Sequence, residues 1–113
     1  MKKKSGRTGF RTPPTLRDFQ KEFPEVWKAY ERFREACDQQ GPLDAKTREL
    51  IKIAISVALG RHGGLVAHRD RCRAAGAREE EISQAILLAA PLAGFPETLA
   101  GFRVFRQNMT GSG

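Results

Sequence analysis

The chain has 113 residues, enough for one domain whose core leaves much apolar surface uncovered unless subunits associate. Its formal charge is +7, but six basic residues (Lys2, Lys3, Lys4, Arg7, Arg11 and Arg17) precede the first acid, Asp18, so the remainder carries a net +1. This distribution disfavours nucleic acid as a partner, and no apolar run approaches the ~20 residues of a membrane span or follows the basic start as a secretory signal would.

Residues 1–14 read as a disordered, solubilising basic tail, and a helical domain of about six helices is expected over residues 15–109, with residues 110–113 as a flexible end. Thr15 with Asp18 makes a capping-type start for a short helix running to about Glu22. Pro24 suits the first turn of a second helix, in which Val26, Trp27, Tyr30, Phe33 and Cys37 recur at helical spacing. Asp44 caps a third helix whose stretch from Leu50 to Leu59 is apolar nearly all round, the pattern of a central element. On it Glu49, Lys52 and Ser56 form one polar stripe. A carboxylate there either pairs locally with Lys52 at a boundary or faces a pocket as an acid/base group.

A glycine-rich loop from Gly60 leads into a fourth helix over about Gly64 to Ala75, with Gly76 suited to a left-handed closing turn. Leu65, His68, Cys72 and Ala75 fall on one stripe of this helix, which should face the core. The imidazole of His68 there either does acid/base work near neutral pH or is a hydrogen-bonded interior residue. Glu79, Glu80 and Glu81 open a fifth helix, favourably placed against its dipole, with Ile82, Ala85, Ile86 and Ala89 turned inward. Pro91 stops or bends that helix, and Pro96 starts a sixth with Leu99, Phe102 and Phe105 as its apolar stripe. Period-two alternation is nearly absent, so the fold class is all-α. Cys37 and Cys72 match neither a CxxC pair nor a zinc pattern. They read as core thiols of a reduced, cytoplasmic protein, and neither metal nor cofactor is expected.

The segments Leu43-Asp44-Ala45-Lys46-Thr47-Arg48-Glu49-Leu50-Ile51, Ala58-Leu59-Gly60-Arg61, His68, Gly76, Glu81-Ile82 and Ala93-Gly94-Phe95-Pro96 together resemble the carboxymuconolactone decarboxylase family, which includes alkylhydroperoxidase D-like proteins. The resemblance covers about residues 15 to 107 and implies an all-helical domain assembling into trimers, or hexamers built from them. In the alkylhydroperoxidase D-like branch a Cys-x-x-Cys-x-x-x-His motif attacks peroxide, with an upstream Glu relaying protons. Aligned on His68, its two thiol positions are occupied by Arg61 and Gly64, while Glu49 matches the relay glutamate.

The decarboxylase branch lacks the cysteine pair and is more similar to this chain. Its reaction removes carbon dioxide from a lactone acid while moving a double bond, which needs an acid or base beside a developing enolate-like charge. The resemblance therefore implies His68 for proton transfer, Glu49 for orienting it, and Arg61 for holding a substrate carboxylate through its planar fork. Acidic residues that tend to precede the histidine helix in that branch are replaced by Gly63 and Gly64. The expected function is acid/base, lyase- or isomerase-type chemistry on a small anionic lactone or related acid. The alternatives are a peroxidase-like thiol protein using Cys72 and a helical oligomer without catalysis.

Overall fold

The computed structural model describes residues 14–111, with side chains as far as Gln107. The basic tail lies outside the described residues apart from Pro14, and so do the last two residues of the expected flexible end. Seven helical segments fill the described part: α1 (Pro14–Glu22), α2 (Pro24–Asp38), α3 (Ala45–Leu59), α4 (His62–Ala74), α5 (Glu79–Leu88), α6 (Ala90–Ala93) and α7 (Phe95–Gly111). No helix among these residues is long and apolar enough to cross a membrane. They divide into two compact units, residues 14–43 and residues 44–111.

In the first unit the helix starts at Pro14, whose fixed φ suits a first helical position, so Thr15 lies inside α1 instead of capping it. Phe23 alone separates α1 from α2, and its ring packs 5.3 Å from that of Phe19. The apolar positions of α2 recur as expected, yet none is buried; Val26, Tyr30 and Phe33 are all exposed. Cys37 is exposed as well, which corrects its reading as a core thiol.

The second unit is built on α3. Asp44 caps it by accepting a 2.9 Å hydrogen bond from the Thr47 amide. The Thr47 hydroxyl first, and then this amide, hold the Asp44 carboxyl below its ordinary range. Gly60, at a left-handed φ of 69°, closes α3, and the Arg61 amide donates back to the Ser56 carbonyl at 2.8 Å. The chain then reverses into α4, which starts at His62, two residues before the expected Gly64. Gly76 takes the left-handed turn after α4, with φ 96°.

The α5 start uses Glu81 twice. Its Oε1 accepts from the Arg78 amide at 2.8 Å and its Oε2 from Lys46 Nζ at 3.0 Å, tying α5 to the first turn of α3. The Arg78 amide first, and then Lys46, keep this carboxyl below its usual range. Pro91 ends α5 as expected, but the chain adds the short α6 before Gly94 and α7.

Ile53 and Val57 of α3, Leu65 and Cys72 of α4, Ile82 and Ile86 of α5, and Phe105 of α7 make the centre of the core. Burial of each large aliphatic or aromatic side chain stabilises the unit by roughly 1.5 to 3 kcal/mol. Gly101 allows α7 to approach α3: a Cβ there would lie 2.8 Å from Val57 Cγ2. Leu99, expected on the inward stripe of this helix, is exposed, while Thr98 and Gly101 face inward. Arg69 is the unexpected interior residue, only 1% exposed. Its Nη1 donates to the Phe105 carbonyl at 3.2 Å and its Nε to Asp70 Oδ1 at 3.0 Å, linking α4 to α7.

Candidate active site

The polar stripe of α3 faces α4. Glu49, 8% exposed, stands one turn into α3 after the Asp44 cap, and His68 lies in the middle of α4. His68 Nδ1–H donates to Glu49 Oε1 over 2.7 Å. Because a carboxylate only accepts, this bond places a proton on Nδ1 and leaves Nε2 as the atom that takes or gives a proton. Lys52 Nζ lies 3.9 Å from the other oxygen, Glu49 Oε2. The local Glu49 to Lys52 ion pair and the Glu49 to His68 pair therefore coexist, one on each carboxylate oxygen.

A nearly buried carboxylate is tolerated only when its charge is compensated, and Lys52 and His68 do so from two sides. The imidazole keeps about 20% of its side-chain surface exposed, so its reactive edge is not sealed in the core. The arrangement can therefore orient an imidazole and steady the imidazolium formed when it takes a proton.

A family model described as the carboxymuconolactone decarboxylase family matches residues 24–107. The chain belongs to this family. Among solved structures, the crystal structure of apo-lpg0406, a carboxymuconolactone decarboxylase family protein from Legionella pneumophila, is similar to it. The two share 27% identity over 88% of each chain, with a TM-score of 0.76. None of the curated proteins matches the chain.

In this carboxymuconolactone decarboxylase family member the remaining site candidates are placed differently from the pair. Arg61 is exposed at the N-cap of α4, about two helical turns before His68. Its backbone is held at both ends, the amide donating to Ser56 and the carbonyl accepting from Leu65, while the side chain provides no cap. Cys72 is fully buried one turn after His68, its thiol donating to the Lys46 carbonyl at 3.8 Å. Burial, then the nearby Glu49 and Glu81 carboxylates, push this thiol up to about 11. A thiol so placed is almost wholly protonated at neutral pH and is a poor nucleophile. Both cysteines are free.

Two features of the site went unassigned in the sequence. Ser56 was noticed as part of the polar stripe, but nothing local showed that its hydroxyl faces Gly64 across the helix pair, 3.4 Å from where a Cβ would stand. Arg69 did leave a signal: Leu65, Arg69 and Cys72 fall at i, i+4 and i+7, the same inward stripe. Its charge and its Arg-Asp-Arg surroundings disguised it as a surface residue.

An apolar groove of about 530 Å³ lies between α5 and α7, lined by Ile86, Leu87, Phe95, Leu99 and Phe102 among others. It contains neither Glu49 nor His68.

Proposed function

We propose that this carboxymuconolactone decarboxylase-like protein is an acid/base enzyme acting on a small anionic lactone or related acid, with His68 as the proton-transfer residue and Glu49 as the residue that positions it. The observation that carries the reading is the 2.7 Å hydrogen bond from His68 Nδ1 to Glu49 Oε1. It lies within the reach that a catalytic pair requires, and it leaves Nε2 to work on the substrate.

In the reaction, the bond from carbon to the carboxylate breaks and carbon dioxide leaves. The electron pair spreads into the unsaturated lactone, and a proton that His68 Nε2 has taken up from solvent, making the imidazolium, is delivered to the carbon at the far end of the shifted double bond. Solvent then reprotonates the imidazole. Glu49 holds the imidazole in place and stabilises its charged form through this cycle. Arg61, exposed at the mouth of α4, is assigned to the substrate carboxylate. Thiol chemistry is the weaker reading, because Arg61 and Gly64 stand at the positions of the family's cysteine pair and Cys72 is buried and protonated.

We assign the protein to a homo-oligomer, a trimer or a hexamer, and to the cytoplasm. Ile51, Ile55 and Leu59 support the assembly: they repeat every four residues along α3 and are exposed. Two unpaired cysteines fit a reducing compartment.

The test is carbon dioxide release from a series of unsaturated γ-lactone carboxylates by the purified full-length protein. His68→Ala should lower kcat about a hundredfold or more, the usual worth of a positioned proton donor. Turnover that survives this substitution at the wild-type rate would remove the assignment.

A further inference from the structure

Between Leu50 and Leu59, α3 carries a single charged residue, Lys52. Its placement is the reverse of what solvation alone would choose. Ile51 and Ile55 stand 44% and 51% exposed on the outer face of the helix, while the Lys52 side chain, 27% exposed, lies on the half-buried edge beside Glu49. An ammonium is a compact, strongly hydrated charge. One that leaves the open face to isoleucines and turns toward a nearly buried carboxylate is held there by that carboxylate.

Glu49 Oε1 accepts from His68 Nδ1–H at 2.7 Å, and Lys52 Nζ faces Oε2 at 3.9 Å. One negative charge thus serves two neighbours, and what it gives the first depends on the second. A carboxylate that turns its whole charge on an imidazole grips the Nδ1 proton and stabilises the imidazolium. It orients the ring well, but it also holds back the proton that Nε2 has to deliver. A lysine on the other oxygen draws off part of that charge and places a like charge on the imidazolium's side of the site.

The remaining ionisable groups around this pair are committed elsewhere. On α4 the protonated Cys72 thiol donates to the Lys46 carbonyl, and Arg69 is bound to Asp70 and to the Phe105 carbonyl of α7. On α5, Glu81 is held by Lys46 and the Arg78 amide, and Glu79 forms a two-point pair with Arg73. Lys52 is the cation that the structure places against Glu49.

We propose that Lys52 is a positioning residue that sets how strongly Glu49 grips His68, loosening the hold on the imidazolium so that it can give up its Nε2 proton. This rests on the acid/base reading for its catalytic meaning, while the coupling of Lys52 to His68 through Glu49 is measurable without turnover. Charge sharing at the carboxylate separates the two duties of Glu49: the ring stays oriented, and its proton stays transferable.

Proton NMR of the full-length protein reads this coupling directly, because His62 and His68 are its only histidines and His68→Ala identifies the second signal. The His68 Nδ1–H resonance should move downfield in Lys52→Met and in Lys52→Gln, since a carboxylate that is no longer shared is the stronger acceptor. Lys52→Arg keeps the charge and should leave the resonance near its wild-type position. With a lactone acid that the wild type turns over, Lys52→Met should lower kcat severalfold and leave KM unchanged. A resonance unmoved in both neutral variants, a displacement in Lys52→Arg equal to theirs, or wild-type kcat in Lys52→Met would each overturn the proposal. A displaced resonance in a protein that turns over no lactone acid leaves the coupling standing and removes only the reaction. An unmoved resonance in an active enzyme does the reverse.

Discussion

At His68 the question is orientation, because an imidazole free to rotate presents either nitrogen to a substrate. The bond to Glu49 removes that freedom. Glu49→Gln keeps an acceptor for Nδ1–H and loses the charge, whereas Glu49→Ala loses both. Steady-state kinetics should show the Gln variant retaining clearly more kcat than the Ala variant, with little change of KM in either. A change confined to KM would mean that Glu49 contacts substrate directly. At Cys72 the expectation is silence: thiol titration of the folded protein at pH 8 should count one reactive group, Cys37, and two after unfolding. The raised pKa also sets a direction for stability. The folded state holds the Cys72 proton more tightly than the ordinary value of 9.0, so its contribution is complete below that pH and is lost as pH rises toward about 11. Chemical denaturation at a series of alkaline pH values should show stability falling through this window, and falling less in Cys72→Ala.

At the scale of elements, α3 is held by local signals at both ends and by long-range packing between them. Asp44, the Gly76 turn and the acidic start of α5 were all legible, because caps and closing turns act within three to five residues. The inward residues of α5 were legible for the same reason. Gly101 was not, since its value lies in the contact of α7 with Val57. Gly101→Ala forces a Cβ into that side chain and should cost on the order of 1 to 3 kcal/mol in urea denaturation, despite the better helix propensity of alanine. Stability equal to or above wild type would show that α7 can move away freely. Leu99 illustrates the opposite error: correct spacing put it on a stripe, but the helix turned Thr98 and Gly101 toward the core instead.

For the whole molecule, apolar surface is the unfinished part. Ile51, Ile55 and Leu59 on α3, together with Leu87, Leu88 and Leu92, are exposed in a chain of modest size. Such surface is characteristic of a subunit waiting for its neighbours. Light scattering coupled to gel filtration should give the mass of a trimer or hexamer. Ile55→Glu, which changes a half-exposed position on α3, should reduce that mass while circular dichroism stays helical. A monomeric wild type would refute the assembly outright. The α3 surface that reads as apolar nearly all round is covered on one side only within one chain: Ile53, Ser56 and Val57 are buried, while Ile51, Ile55 and Leu59 are exposed.

The amino-acid sequence by itself determined the helical class, the caps that start and stop the central helices, and the faces on which Glu49 and His68 lie. Those depend on backbone propensity and on contacts three or four residues apart, which any isolated stretch of chain already encodes. Only the tertiary structure decided that the two faces meet at hydrogen-bond distance, that Ser56 opposes Gly64, that Arg69 is interior and that Cys37 is not. The physical reason is that helix docking chooses one rotation and one offset among many compatible with the same apolar stripe. That choice is made by packing many side chains at once, of which no single local pattern is a record.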